Sequence, residues 1–422
     1  MEYKDFLDLK YTPNKNDLIC VFKIKPTKGI SMKEAASRVA SESSNGTWTD
    51  LPVTNRIRKL SAKVYSMKKD IIKVAYPIDL FEYDNMPQIL SSIAGNIFGM
   101  KAVVGLRLED VFFPKKIINS YKGPQFGVNG VKKIFKVKKR PLSGTVPKPK
   151  VGYTSKQHAK VGYDIWTGGL DLLKDDENLS SQKFNPFKKR VVETIKVRDK
   201  AEQETGERKS QLLNVTAETE KMLERAEFVK EQGGEYVMID ILTAGWSSVQ
   251  TLRKKCDELK LAIHAHRAFH AAFDRNPNHG MSMMVIAKIA RLIGVDQIHI
   301  GALGKLAGTK KEVMDLYNAM TKNKFSNFGL EQNWSKIKPI LPVCSGGLHP
   351  AIIPRLLKTM GNDMMLQAGG GVIGHPDGIK AGAKAVRQVI DSTITGVPLN
   401  KAAKIYPELN KALKFWGNKA KI

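Results

Sequence analysis

The spacing of apolar and polar positions changes near residue 124. Before that point, short alternating runs mix with amphipathic helical stretches. Residues 17–25, 71–76 and 101–108 read as strands, because apolar side chains recur at every second position. Residues 31–41 read as a helix opened by a serine cap, and 86–94 as a second helix. This mixture predicts an α+β (ferredoxin-like) N-terminal domain over residues 1–123, with helices on one face of a sheet.

After residue 124 the pattern becomes repetitive. Short apolar segments fall at 144–148, 169–173, 212–216, 236–240, 261–265, 297–300, 340–344 and 364–368. Most are separated by helical stretches, so residues 124–405 predict a (β/α)8 TIM barrel in an α/β chain. The helix expected over 186–205 is charged and reads as surface-lying. From residue 399 the chain reads as a basic amphipathic helix, with a basic C-terminal tail over 406–422. In such a barrel the C-terminal ends of the strands converge on one face. That geometry gathers Lys148, Lys150, the charged run 174–177, His266, Arg267, His299, Ser345 and the triglycine 369–371 into one candidate site.

The run Gly168-Gly-Leu-Asp-Leu-Leu-Lys-Asp-Asp-Glu-Asn178 carries the most specific chemistry. Alternate strand residues share a face, so Lys174 and Asp176 point one way and Asp175 the other. Glu177 joins the first pair if the chain turns there, and Asn178-Leu-Ser-Ser is turn-like. Two carboxylates suit a hard cation such as Mg²⁺. A lysine ammonium repels that ion, but a neutral amine that adds CO₂ becomes an anionic carbamate oxygen donor. A lysine salt-bridged to its neighbours at a solvated turn is the other reading.

Composition narrows the class. The 422 residues are 42 % hydrophobic, enough for a large core, and no apolar run reaches a membrane span. The start carries no signal-peptide pattern, and Cys20, Cys256 and Cys344 are far apart and odd in number. These features point to a reducing, cytoplasmic location. The net charge of +28 admits nucleic-acid binding. However, the lysines are spread along the chain, with denser runs at 131–140 and from 411, and no nucleic-acid module is visible. Loose, salt-sensitive binding is the form this charge supports.

Nine ordered stretches, 42–49, 95–99, 148–150, 168–178, 266–270, 278–280, 299–308, 345–347 and 369–371, resemble the large subunit of ribulose-1,5-bisphosphate carboxylase/oxygenase (Rubisco). The archaeal type without small subunits is the nearest in pattern. The resemblance implies carboxylation of ribulose 1,5-bisphosphate to two 3-phosphoglycerate through an enediolate, with competing oxygenation by O₂. It also implies one Mg²⁺ per site, a CO₂-derived carbamate on Lys174, and a homodimer as the minimal unit, with a ring of dimers also open. No small subunit, membrane or specific nucleic acid is implied as a partner. A Rubisco-like enolase or isomerase of a sugar phosphate is the rival within the same fold. A basic nucleic-acid-binding protein is the rival outside it.

By the same resemblance, Lys174, Asp176 and Glu177 are the metal ligands. Lys148 is the acid/base lysine near the reacting carbons, with Lys150 beside it, and His266 faces the substrate. Arg267 and His299 lie near one phosphate. Ser345, Gly346, Gly347, Gly369 and Gly370 offer a hydroxyl and backbone N–H groups, and two such clusters at separate strand ends suit two phosphates. Lys305 sits on a loop that closes over the substrate, which is one residue shorter than usual and has Ala307 where glutamate is common. Glu42, Thr47, Trp48 and Asn96 come from a second copy of the chain, and Glu42 pairs with Lys305. Asn45 and Val146 each stand where the family usually has threonine.

Overall fold

The computed structural model describes residues 1–303 and 309–417. In chain order its strands are β1 (Leu18–Pro26), β2 (Lys63–Lys68), β3 (Ile71–Tyr76), β4 (Val103–Phe112), β5 (Leu142–Thr145), β6 (Leu172–Lys174), β7 (Ser210–Asn214), β8 (Tyr236–Asp240), β9 (Ala262–His266), β10 (Gly280–Met281), β11 (Gln297–His299), β12 (Lys324–Asn327), β13 (Leu330–Asn333), β14 (Leu341–Ser345) and β15 (Met365–Gln367). Packing divides the chain into two units. One holds residues 1–123, 269–293 and 322–337; the other holds 124–268, 294–321 and the chain from 338 on.

In the first unit the strand order is β10-β4-β1-β3-β2. β1 pairs antiparallel with both β3 and β4, and β2 with β3. With the helices Met32–Glu42 and Met86–Ile93, this is the ferredoxin-like arrangement. Ile19 and Val21 pack on one sheet face with Ala75 and Phe112, while Cys20, Phe22 and Ile24 are buried on the other. The first helix starts where expected, with the Ser31 hydroxyl accepting the Glu34 N–H. β2 has no clear sequence signal, because it is a polar edge strand with a lysine at each end.

Two later segments complete this unit. β10 adds to β4 in parallel, and the Arg107 guanidinium holds Asp274 and the carbonyls of Asp274 and Asn276. Lys288, on the helix Met283–Ile293, lies 2.7 Å from Asp110, and both side chains are fully buried. The β12–β13 hairpin is anchored through Gln332, which bonds both backbone groups of Phe113.

The second unit is a closed barrel in the order β5-β6-β7-β8-β9-β11-β14-β15, returning to β5 through β15. Adjacent strands are parallel throughout. Leu142, Leu172, Leu212, Tyr236, Leu341 and Met365 pack in one interior cluster, which Val128, Val131 and Phe135 join from the helix Gly127–Ile134 and its end. Each such side chain contributes about 1.5–3 kcal/mol through burial. At the N-terminal end of the strands, Arg140 grips Asp171 through two bonds of 2.7 Å. The basic run 131–140 borders a cavity of about 400 Å³ there, with Lys133, Lys136, Lys138 and Lys139 exposed.

Two expectations change. The helix Phe187–Thr205 is not simply surface-lying, since Arg190 and Thr194 are fully buried and Arg198 nearly so. The chain from 399 forms two helices, Leu399–Ile405 and Pro407–Trp416, because Tyr406 is extended and Pro407 restarts the helix.

Candidate active site

The site is built from the ends of the barrel strands, and β6 sets its centre. Leu172 faces the barrel interior, so Lys174 faces it too and Asp175 turns away. Asp175 is sealed behind the strand. It receives Arg190 Nε at 3.0 Å, Gln211 Nε2 at 2.8 Å and the Asn214 N–H at 3.0 Å, with His158 Nε2 at 3.1 Å. Burial pushes its carboxyl up, but Arg190, His158 and the backbone N–H outweigh that and hold it far below the usual carboxylate range. This anchor fixes the residue between the two candidate ligands on the other face.

On the barrel face, Lys174 is fully buried and has one carboxylate within 4 Å among the described residues, Glu177 at 3.5 Å. Its Nζ donates to the Asp175 carbonyl at 2.8 Å. Burial lowers its pKa, and Glu177, Asp176, Asp240 and Asp175 offset that only in part. The turn brings Glu177 to the same side as Lys174. Asp176 is held by the Asn178 N–H and side-chain amide and by Lys148 Nζ at 3.0 Å. Burial raises the Asp176 pKa, while those hydrogen bonds lower it by more. Lys150 lies 4.0 Å from Glu177 and is largely exposed. Lys148 follows β5 in a loop, three residues beyond the strand's end, not within it.

A histidine group lies across the barrel mouth. His266 Nε2 is 3.5 Å from Glu177. Its Nδ1 accepts the Ala268 N–H at 3.2 Å, which leaves the proton on Nε2. Asp240 Oδ1 sits 3.3 Å from that same Nδ1 and, among the described residues, has no hydrogen-bond donor. The Gln297 amide nitrogen faces Tyr236 Oη, so its oxygen takes the His264 Nδ1–H at 2.9 Å. The chain then runs one way: His264 Nε2 accepts from His299 Nε2 at 2.9 Å, and His299 Nδ1 accepts the Ser345 hydroxyl at 2.8 Å. Burial, reinforced by the charge of Lys174, pushes His264 down to about 3 and His266 down to about 4. Burial and the neighbouring histidines push His299 down as well. These imidazoles are therefore neutral near pH 7.

The glycine turns lie on adjacent strand ends. Gly346 and Gly347 follow β14 with positive φ values of 102° and 67°, which only glycine adopts freely. Gly369–Gly371 follow β15, the next strand. A Cβ on Gly371 would stand 2.0 Å from the Leu348 carbonyl oxygen. The two clusters are thus packed together on neighbouring strand ends. Ser345 turns instead towards His299.

The structure brings together Lys148, Lys150, Lys174, Asp176, Glu177, His266, Arg267, His299, Ser345 and the four glycines in the barrel unit. In the first unit, Glu42 ends its helix and accepts from Tyr3 Oη at 3.2 Å. Thr47 and Trp48 lie on the following loop, with Trp48 82 % exposed, and Asn96, itself exposed, opens the turn Asn96–Gly99. Asn45 is tied to the Ile57 carbonyl. Lys305 and Ala307 lie outside the described residues. Asp240 and His264 were missed by the sequence reading, although both signals were present: a carboxylate at a strand end, and a histidine two positions before His266.

Among the described residues, no group of three or more His, Cys, Asp or Glu side chains could hold a metal. Asp176 and Glu177 offer two anionic donors, and the third position is occupied by the Lys174 amine. The donor set fits a hard divalent ion once that amine carries a carboxylate.

Residues 5–117 match the family model described as the ribulose bisphosphate carboxylase large chain, N-terminal domain, and residues 127–416 match its catalytic domain. The ribulose bisphosphate carboxylase of Pyrococcus abyssi is 50 % identical over 421 residues, covering 98 % of this chain and 97 % of that protein. That of Methanocaldococcus jannaschii is 48 % identical over 432 residues, covering 98 % and 100 %. Among solved structures, the octameric Rubisco of Pyrococcus horikoshii OT3 in complex with sulfate superposes with a TM-score of 0.94 at 48 % identity, covering 100 % of this chain and 98 % of that one. The dimeric archaeal Rubisco of Hyperthermus butylicus also gives 0.94, at 47 % identity over 98 % and 99 %.

Proposed function

This chain belongs to the ribulose bisphosphate carboxylase large chain family, and we propose that it joins CO₂ and water to ribulose 1,5-bisphosphate, giving two molecules of 3-phosphoglycerate, with O₂ as a competing substrate. The observation that carries this reading is Lys174: a fully buried lysine whose pKa burial lowers, with its nearest carboxylate, Glu177, 3.5 Å away. A neutral amine can attack CO₂, forming an N–C bond and releasing one proton. The product is an anionic oxygen donor next to Asp176 and Glu177. Mg²⁺ held by these three residues would supply Lewis-acid polarisation of the substrate's carbonyl and hydroxyl oxygens.

The chain's own groups do the rest. Lys148 exchanges a proton at Nζ with the carbons next to the polarised oxygens, a role its 3.0 Å contact with Asp176 supports. His266 presents its Nε2–H towards Glu177 and orients substrate oxygens there. Arg267, with His299 and Ser345, takes one phosphate, since a planar guanidinium suits that anion. Gly346, Gly347, Gly369 and Gly370 take the other phosphate with backbone N–H groups.

The minimal unit is a homodimer, in which Glu42, Thr47, Trp48 and Asn96 of a second copy reach the barrel site. The exposure of Trp48 and the octameric and dimeric states of the solved relatives from Pyrococcus horikoshii and Hyperthermus butylicus support this. Mixing Lys174→Ala subunits with Glu42→Gln subunits should restore activity in the hybrids, and no rescue counts against shared sites. No described helix is long and apolar enough to cross a membrane. The function is tested by following labelled CO₂ into 3-phosphoglycerate with saturating Mg²⁺ and bicarbonate. Incorporation is expected; enolisation of the bisphosphate without incorporation would favour the Rubisco-like enolase instead.

A further inference from the structure

The C-terminal helix Pro407–Trp416 ends against the residues directly behind both glycine turns. The Trp416 indole lies 6.2 Å from the His349 ring, with planes 27° apart, and 6.2 Å from the His375 ring. His349 follows the turn at Gly346–Gly347, and His375 follows the triglycine after a single helical turn. One side chain therefore touches the exit of each loop.

The two histidines are held differently. His375 is bonded at both nitrogens: Nε2 donates to the Glu408 carbonyl and Nδ1 accepts the Asp377 N–H, each at 3.0 Å. His349 is 8 % exposed, and among the described residues its Nδ1 has no hydrogen-bond partner. Packing alone places it. The Trp416 ring stacks on its ring, and a Cβ built on Gly371 would be 2.9 Å from the His349 Cα. A Cβ on Gly374, just before His375, would meet the Trp416 ring at 3.8 Å. The indole thus closes a stack that runs from one glycine turn to the other.

We propose that Trp416 is a positioning residue for phosphate binding. By clamping His349 against the triglycine turn, it keeps the N–H groups of Gly346, Gly347, Gly369 and Gly370 aimed at a single phosphate. The inference rests on the reading of these turns as the carboxylase's phosphate site. Among the described residues Trp416 makes no hydrogen bond to the loops, so its loss acts through loop placement, and displacements near 1 Å weaken positioned contacts strongly.

The test is calorimetric binding of ribulose 1,5-bisphosphate and of inorganic phosphate to the wild type, Trp416→Ala and Trp416→Phe, with thermal melts alongside. Binding needs no turnover, so a wild type that binds the bisphosphate without carboxylating it defeats the proposed function and not this inference. The expected result is a Kd for the bisphosphate raised about 10-fold in Trp416→Ala and restored to within about 3-fold in Trp416→Phe. Equal Kd values for wild type and Trp416→Ala would overturn the proposal, as would equal weakening in the Ala and Phe variants. If Trp416→Ala fails to fold, His349→Asn serves, with the same direction expected, and an unchanged Kd overturns the inference.

Discussion

Two buried lysines show how this chain separates structure from chemistry. Lys288 and Lys174 are both shut away from water, and burial lowers the pKa of both. Lys288 is matched: Asp110 meets it at 2.7 Å, and its Nζ sits 4.0 Å over the Phe112 ring. Asp110 is satisfied as well, by the Val111 N–H and the Asn327 amide. Lys174 is surrounded by carboxylates yet tightly paired with none, and its Nζ bonds to a neighbouring carbonyl. A buried amine whose nearest carboxylate stands 3.5 Å away is compensated less for leaving water than one paired at 2.7 Å. Burial alone therefore does not separate the two lysines; the closeness of the partner does.

The difference can be broken from either side. Lys174→Ala should reduce carboxylation to background, a loss on the order of 10³-fold or more. The unfolding midpoint should shift little, because only a loose ion pair and one bond to a carbonyl are lost. Lys288→Met should do the opposite. It strands Asp110 and should cost about 3–5 kcal/mol in chemical denaturation, while activity per folded site is retained. Equal destabilisation by both substitutions would dissolve the distinction.

Asp175 lies between these cases, a structural anchor one residue from the reactive lysine. Arg190→Met removes its closest charge partner and should also cost about 3–5 kcal/mol. Unlike Lys288→Met, it should weaken activation by Mg²⁺ in the surviving folded protein, read as a higher Mg²⁺ requirement. A stability loss with an unchanged Mg²⁺ requirement would show that the anchor does not set the ligands.

Lys209 sharpens the comparison at the mild end. It is buried and paired with Glu207 at 2.8 Å, and Glu207 also holds Arg387. Burial pushes the Glu207 carboxyl up, but Arg387 and Lys209 bring it from 4.5 down to about 2. A folded-state pKa below the unfolded value gives stability that is fully present above about pH 4.5 and lost as the pH falls towards 2. Glu207 is about one-third exposed, so solvent screening limits the effect to about 1 kcal/mol. Glu207→Gln should flatten that part of the stability profile, measured by denaturation at pH 2.5, 4 and 6.

These contrasts also mark what was legible in the sequence. The barrel was readable because short apolar segments recur along the chain and helices separate most of them. The polar edge strand β2 and the β12–β13 hairpin lacked that signature. The alternation that sent Lys174 and Asp176 one way and Asp175 the other held, because a strand leaves little choice. What Asp175 faces was not legible. Arg190 lies in a helix rich in charge, and only the folded chain shows that this one arginine is buried to meet a carboxylate. Asp240 and His264 were readable by position but passed over. The joining of the two glycine turns depends on β14 and β15 being neighbours, which follows from barrel order.

The account rests on Lys174 carrying a carboxylate derived from CO₂. ¹³C NMR of the protein equilibrated with ¹³C-bicarbonate and Mg²⁺ tests this directly. The prediction is a carbamate resonance that is present in the wild type and in Lys288→Met and absent in Lys174→Ala. No such resonance in the wild type, or one that survives Lys174→Ala, would contradict it.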